Sequence, residues 1–176
     1  MAFYYYDSKE QITSLVVGVI ILLVSFIVPS VVIVRSIKFD QQCGGYLKQA
    51  ADANTVELSL ERITTALDYI EKHNLTDGYT SVLYRTEDEN VGYWYRNIKA
   101  CKEELEANVD ATSLEKSNVL MKVRESLTDN GEHGTKLTVP DGISRYPYNL
   151  LFGILRVTNL IVFFLGLFIF FKGIND

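Results

Sequence analysis

The feature that most limits the fold of this chain is the uncharged segment 11–34, QITSLVVGVIILLVSFIVPSVVIV. As a helix it would be about 36 Å long, which is enough to cross a hydrocarbon core of about 30 Å. A cleaved signal peptide would have a basic leader and a shorter apolar stretch that ends at small residues. Here the leader MAFYYYDSKE is acidic and aromatic, and no such cleavage pattern precedes Arg35. The segment therefore predicts an uncleaved transmembrane helix.

A second apolar segment lies at 148–171, and only Arg156 interrupts it. It is also long enough to cross a bilayer. Two core helices of a soluble protein are the alternative, but a chain of 176 residues rarely contains two long helices that are apolar on every side. We therefore expect an integral membrane protein that crosses the lipid bilayer twice. The expected order is a tail at 1–10, a transmembrane helix at 11–34, a water-soluble domain at 35–147, a transmembrane helix at 148–171 and a tail at 172–176.

The domain between the two apolar segments has helical periodicity. Its acidic side chains outnumber its basic ones. Two series of apolar residues recur every three or four positions, namely Val56, Leu60, Ile63, Leu67 and Ile70, and then Trp94, Ile98, Cys101, Leu105 and Val109. Such spacing is typical of helices that pack on a neighbour through one face. The sequence predicts an all-α membrane protein in which two transmembrane helices flank a small antiparallel helical bundle or hairpin.

Two pairs of residues have the spacing of a capping box, in which the first residue of the pair caps the helix and a Glu three residues later bonds back. The pairs are Asn54 with Glu57 and Thr112 with Glu115. Each pair predicts the start of a helix. Runs that contain Asn, Asp and Gly, at 74–78 and 129–131, predict where these two helices end.

Two further segments have weaker signals. Residues 40–53 are expected to be helical, either as an extension of the first transmembrane helix or after a break at Gly44-Gly45. Residues 135–147 are expected to form a loop, because this segment contains two prolines and a glycine. A short extended piece at 136–139 is expected within that loop.

Whether the two cysteines can form a disulfide depends on the layout of the domain, for which two arrangements are open. If two long helices fold back once, Cys43 and Cys101 lie about 30 Å apart, which is too far for a disulfide. If four short helices alternate in direction, both cysteines lie near the membrane and a disulfide between them can form. Free thiols are the favoured expectation, with Cys101 as a small core residue.

Few residues in this sequence are suited to catalysis or metal binding. The two histidines, His73 and His133, and the two cysteines show no spacing of a zinc-ligand pair. The sequence shows no Ser-His-Asp arrangement that would support general acid–base catalysis. No glycine-rich loop in it resembles a phosphate-binding loop. The net charge of −5 disfavours nucleic acid, whose partners present a basic face. We expect a protein that is not an enzyme and binds neither a cofactor nor nucleic acid.

The charges beside the apolar segments bear on membrane orientation. Arg35, Lys38 and Arg145 lie on the domain side, and Lys9 and Lys172 lie on the tail sides. The positive-inside rule then slightly favours a cytoplasmic domain, although domains of this length cross membranes largely regardless of such charges. The side of the membrane stays undecided, with a small preference for the cytoplasm.

Small and polar residues fall on particular sides of the two apolar segments. In the first segment Ser14, Gly18 and Ser25 lie within about 60° of arc on a helical wheel. In the second segment one broad side carries Asn149, Gly153, Arg156, Asn159 and Gly166. Helices that approach closely in lipid need small residues at their contact. We expect these two sides to face each other or to face partner subunits.

Arg156 has two interpretations that the sequence leaves open. It lies about 12 Å inside its segment, so its long side chain can reach back toward the interface. Alternatively it faces a protein interior, a pore or a partner, because a charge in lipid costs a few kcal/mol or more. Asn159 lies one turn deeper and is expected to form a hydrogen bond across helices.

These features favour a structural or accessory membrane subunit. Its helical domain is expected to dock copies of itself, as a homo-oligomer, or another membrane protein. Two alternatives remain, a subunit of an oligomeric channel or pore lined by the second transmembrane helix, and a membrane-anchored sensor. An aromatic group, Tyr79, Tyr84, Tyr93, Trp94 and Tyr95, surrounds the turn in the middle of the domain. At the far tip of the bundle such a group would either form a contact surface or, as is more common, close the end of the core.

Overall fold

The computed structural model describes residues 2–83, 85–131 and 134–175, with side chains from residue 9 onward except those of residues 130 and 131. Tyr84 and His133 lie outside the described residues. Most of the described chain is helical. It forms two compact units, of which the first comprises residues up to 34 with residues from 150 onward, and the second comprises residues 35–149.

The elements follow one another along the chain with short connections. The helices are α1 Ala2–Ser25, α2 Ile27–Phe39, α3 Gly45–Ala51, α4 Val56–Lys72, α5 Val91–Ala107, α6 Ser113–Leu127 and α7 Asn149–Asn175. A π-helical segment, Asp40–Gly44, joins α2 to α3, and single 3₁₀ turns occur at Glu87–Glu89 and Ile143–Arg145. Two strands, β1 Thr128–Gly131 and β2 Gly134–Leu137, pair antiparallel.

The first unit is built from the apolar helices. The helical stretch Lys9–Ala51, of 43 residues, and helix α7, of 27 residues, are both long and apolar enough to cross a membrane. Pro29 explains the short interruption at Phe26. Proline has no N–H to bond the carbonyl four residues earlier, so the helical ladder is broken there. The helix resumes at once, because Ser30 N–H donates to the Phe26 carbonyl at 3.1 Å.

Helices α1 and α7 pack closely along one side. A β-carbon added at Gly18 would lie 2.8 Å from the backbone nitrogen of Phe170, and one added at Gly166 would lie 2.9 Å from Ile21. As residue numbers rise along α1, those of the neighbouring residues fall along α7. The two helices are therefore antiparallel.

Four short helices form most of the second unit. Helices α4 and α6 each pack on both α3 and α5. The Tyr95 hydroxyl, near the start of α5, donates to Glu71 near the end of α4 at 2.8 Å. The Asn97 amide donates to the Ser126 carbonyl near the end of α6 at 3.2 Å. Helix α5 therefore runs opposite to both α4 and α6, and α5 with α6 is not one long broken helix.

An apolar core fills the space between these helices. Its largest fully buried side chains include Leu47, Ile63, Ile70, Ile98 and Leu105. Both predicted apolar series line this core, and within them only Leu60 and Val109 are partly exposed. Burial of one such aliphatic side chain contributes about 1.5–3 kcal/mol to folding.

The helix caps agree with the sequence prediction at one helix and correct it at another. Thr112 and Glu115 form the predicted capping box at α6. At α4 the prediction of Asn54 as the cap is wrong, because the Thr55 hydroxyl accepts the N–H of Leu58 at 3.2 Å. Thr55 and its neighbour are both good capping residues, so spacing alone did not separate them.

The hairpin of β1 and β2 corrects the expectation of an all-α domain. Helix α6 ends at Leu127 as predicted, but residues 128–131 continue as a strand. The partner strand overlaps the start of the extended piece expected at 136–139. The N–H of Thr138 also donates to the Leu127 carbonyl at 2.9 Å, which ties the hairpin to the end of α6.

Candidate functional site

A seam of small residues joins α1 to α7. Gly18, Ser25, Gly166 and Gly173 are buried there, and a β-carbon added at Gly173 would lie 3.0 Å from the backbone nitrogen of Leu15. Small residues allow helix backbones to approach closely in lipid. Buried positions recur every seven residues, which is the repeat of helices that wind around each other. The Ser25 hydroxyl donates to a carbonyl of its own helix at 2.6 Å, so its burial leaves no unpaired donor.

The other predicted polar residues lie at the edge of the seam or away from it. Ser14 and Asn159 are half-buried, whereas Gly153 and Arg156 are exposed. Open space surrounds Gly153. Asn149 belongs to the second unit, where its side-chain amide donates to the carbonyl of Gly142 at 3.1 Å. The broad polar side expected for 148–171 is thus divided between the seam, the outer surface and the helical domain.

The register of the two helices bears on the depth of Arg156. When the pairing of Gly18 with Phe170 is extended along both helices, Arg156 comes level with Val32. At 1.5 Å per residue, Val32 is only about 3 Å from the end of the segment 11–34. If the segment 11–34 crosses a bilayer, a position this close to its end agrees with the interpretation in which the guanidinium reaches back to the interface.

Aromatic side chains gather at one end of the second unit. The Phe39 ring centroid lies 6.1 Å from that of Tyr69 and 6.5 Å from that of Trp94. The Tyr146 hydroxyl donates to the Asp77 carbonyl at 2.8 Å. The middle of the domain therefore returns to residues that border the apolar segments in the chain.

This packing follows from the four-helix layout. In a single hairpin of long helices, the segment between α4 and α5 would lie at the far turn. In four helices that alternate, the same segment comes back to the level at which α2 enters the domain. Trp94 is buried and Tyr95 and Tyr79 are half-buried in this region, whereas Tyr93 is 62% exposed.

A cavity of about 410 Å³ lies beside these aromatic residues. The polar and aromatic side chains in its wall include Arg35, Tyr69, His73, Asn74 and Tyr148. Among the described residues that line it there is no Asp or Glu. This is unusual in a chain with a net charge of −5. The arrangement therefore suits an anionic or hydrogen-bond-accepting ligand.

Two of the contacts of Arg35 lie in the wall of this cavity. Its Nε–H donates to the Ser144 carbonyl at 2.9 Å. Its guanidinium carbon lies 6.0 Å from the centroid of the Tyr148 ring, a cation–π distance. Burial raises the pKa of the Tyr69 hydroxyl, with a contribution from Cys43 and an opposing one from the Arg35 charge. Tyr69 therefore stays protonated at neutral pH and can donate a hydrogen bond.

Sequence reasoning did not find this cavity. Arg35 and Tyr148 were noticeable only as residues that border the apolar segments. Tyr69 and His73, whose ring centroids lie 4.2 Å apart, come from the end of α4. No spacing in the sequence connects the end of α4 with the residues on either side of the domain, so only the fold brings them together.

Three larger cavities in the second unit have mixed or acidic linings, and the smallest of them, of about 640 Å³, is lined by Asp52 together with Lys48 and Arg62. One of about 730 Å³ is lined by three acidic and three basic residues, Asp40, Asp52, Asp141, Lys48, Arg124 and Lys136. Another of about 680 Å³ is lined by Trp94 together with Glu87, Asp88 and Asp129. The Trp94 indole N–H is buried and has no hydrogen-bond partner among the described residues.

Both cysteines are buried free thiols in the structure. The Cys43 Sγ lies in the π-helical segment, 4.0 Å from the Ala66 carbonyl oxygen. Burial, with a smaller contribution from the Asp40 charge, raises the pKa of Cys43 to about 12. Burial also raises the pKa of Cys101. A thiol with a raised pKa is a poor nucleophile, so these cysteines serve as packing residues.

In the part of the chain that the structure describes, no group of three or more His, Cys, Asp or Glu side chains is placed to hold a metal ion. Comparisons of this chain with protein-family models, with curated proteins and with solved structures find no match.

Proposed function

We propose that this chain is an integral membrane protein that crosses the bilayer twice and acts as a structural or accessory subunit. The supporting observation is the exposed apolar surface of its long helices. The share of buried residues is only 11% in the most apolar part of the first helix and 6% in that of the second. Leu23 and Phe168, for example, are 65% and 69% exposed. Lipid covers such a surface, whereas water disfavours it by about 25 cal/mol per Å².

In this proposal the seam between α1 and α7 holds the two transmembrane helices together as one anchor. The helical domain forms an antiparallel four-helix bundle that docks a copy of itself or another membrane protein. An exposed face of α6 supports this role, because Leu114 and Met121 are 72% and 58% exposed and lie seven residues apart. Two such residues, two turns apart, lie on the same side of a helix.

Extraction of membranes at alkaline pH tests the two-pass anchor. The chain should stay with the lipid pellet, and protease should leave two lipid-protected fragments. Release into the aqueous fraction without detergent would contradict the proposal.

The mass of the purified protein in mild detergent tests docking, and it should exceed that of one chain. The double variant Leu114→Lys with Met121→Lys should lose the assembly, whereas Glu103→Lys, an exposed charge change on α5, should keep it.

Orientation needs an introduced cysteine, because Cys43 is 0% and Cys101 5% exposed. Ser117 lies exposed on α6, so Ser117→Cys provides a reactive thiol with little change in volume. We propose the cytoplasmic side for the domain. A membrane-impermeant maleimide should then label Ser117→Cys only after the membrane is permeabilised. Labelling in intact cells would place the domain outside.

A pore lined by α7 is a second candidate, and the exposed side chain of Arg156 is the observation in its favour. Outside the seam, this guanidinium is accessible to a neighbouring subunit. In liposomes a pore would give an ion flux that Arg156→Ala alters. The absence of flux at any voltage would contradict this candidate and leave the anchor proposal intact.

A further inference from the structure

We propose that the cavity beside Arg35 binds the phosphate group of an anionic phospholipid at the membrane surface. This inference rests on the proposed two-pass anchor. It concerns a ligand site within the helical domain that the anchor itself does not require.

The lining of the cavity fits a phosphate ester. The Arg35 guanidinium brings a permanent positive charge and planar N–H donors, which match phosphate oxygens. Tyr69, His73 and Asn74 add groups that can donate hydrogen bonds. No carboxylate among the described lining residues opposes an anion. The volume of about 410 Å³ falls within the range of small-ligand cavities, about 300–1,000 Å³.

The position of the cavity along the chain favours a lipid over a soluble ligand. Arg35 directly follows the apolar segment 11–34, and Tyr148 directly precedes α7. Residues at such positions lie at the level of the lipid headgroups when the apolar segments cross a bilayer. Tyrosine is enriched at this level because its ring is apolar and its hydroxyl is polar.

The contacts of Arg35 make the site preorganised. The Ser144 carbonyl holds the Nε–H, and the Tyr148 ring stacks on the cationic group. The guanidinium is therefore held in place before a ligand arrives, which lowers the entropic cost of binding. Each of the three larger cavities is lined by at least one carboxylate, which would oppose an anion.

Native mass spectrometry of the full chain from nanodiscs tests the proposal. One set of nanodiscs contains phosphatidylcholine alone, and the other contains phosphatidylcholine with phosphatidylglycerol. Both lipids carry a phosphate, but the quaternary ammonium of phosphatidylcholine repels the Arg35 guanidinium. We therefore expect the chain to retain phosphatidylglycerol about tenfold more strongly than phosphatidylcholine. Arg35→Gln should lose this preference. Arg62→Gln, a change in the middle of α4, should keep it.

A second variant covers the case in which Arg35→Gln disturbs folding. His73 is exposed at the rim of the cavity, so His73→Gln should fold normally and weaken the retention of phosphatidylglycerol severalfold. Equal retention of the two lipids by the wild-type chain, or unchanged preference in both variants, would overturn the proposal.

Titration with inorganic phosphate in neutral detergent distinguishes a phospholipid headgroup from free phosphate, since both present phosphate oxygens to the cavity. Phosphate that binds as tightly as phosphatidylglycerol would assign the cavity to a free anion and overturn the lipid assignment. The alkaline extraction of cell membranes described for the two-pass anchor is carried out first. A chain that stays in the pellet but shows no lipid preference contradicts only the cavity proposal, whereas a chain that is released contradicts both.

Discussion

The Trp94 ring, at the start of α5, lies 6.5 Å from the Phe39 ring at the end of α2, measured between centroids. This contact joins the middle of the chain to the helix that enters the domain from the first apolar segment. Both residues are 5% exposed. The contact therefore couples the folding of the domain to the end of the long N-terminal helix.

Loss of the Phe39 ring should destabilise the domain strongly. Phe39→Ala removes the ring that contacts both Tyr69 and Trp94, and such a cavity costs about 3–5 kcal/mol. Urea unfolding in mild detergent, followed through the fluorescence of the single tryptophan, measures this change. Tyr93→Ala is the control, because Tyr93 is 62% exposed and its loss should change the midpoint little. Equal midpoints for Phe39→Ala and the wild type would contradict the proposed core.

The α1–α7 seam should depend on Gly18 and not on Gly153. Oxidation of the variant Ser14→Cys with Gly173→Cys should form a cross-link, because a β-carbon added at Gly173 lies 3.1 Å from that of Ser14. Adding Gly18→Leu should abolish the cross-link, since a side chain there meets the Phe170 backbone. Gly153→Leu adds the same side chain into open space and should leave the yield unchanged. A cross-link that survives Gly18→Leu would mean that the helices do not pack through this glycine.

Much of the helical framework followed from local signals in the sequence. Periodic apolar residues located α4 and α5, since a helix that packs on a core needs one apolar face. Thr112 and Glu115 located the start of α6 because a capping box is a contact between residues three apart. The hairpin was harder to predict, because the segment 128–137 has few apolar residues and its pairing depends on contact with the end of α6.

The site was hard to predict because its residues are distant from one another in the sequence. The choice between two long and four short helices decides whether Trp94 lies near Phe39 or far from it, and composition does not make that choice. Register between helices is equally non-local. Arg156 lies about 12 Å inside its own segment, whereas the α1–α7 register at Gly18 and Phe170, extended past the end of α1, brings it level with Val32.

The start of α4 gives a direct test of the corrected cap. Thr55→Ala removes the hydroxyl that accepts the Leu58 N–H and should destabilise the domain by about 1 kcal/mol. Asn54→Ala should change the stability by much less, since Thr55 and not Asn54 caps the helix. The same urea titration measures both variants. A larger effect for Asn54→Ala would restore the assignment made from sequence spacing.

Stability should fall at alkaline pH because of Cys43. Burial, with a smaller contribution from Asp40, raises the pKa of this thiol from 9.0 to about 12 in the folded chain. Between about pH 9 and about pH 12 the folded state keeps the proton that the unfolded state has lost. The free energy of unfolding then decreases as the pH rises, by up to about 1.4 kcal/mol per pH unit from this group.

Cys43→Ala removes this thiol and should flatten that dependence. Urea midpoints measured from about pH 8 to about pH 11 should fall more steeply for the wild type than for the variant. Tyrosine and lysine side chains of the unfolded chain also titrate in this range, so the difference between the two slopes is the quantity that matters. Parallel slopes would show that the thiol ionises as readily in the folded chain as in the unfolded one, which is incompatible with its burial in the π-helical segment.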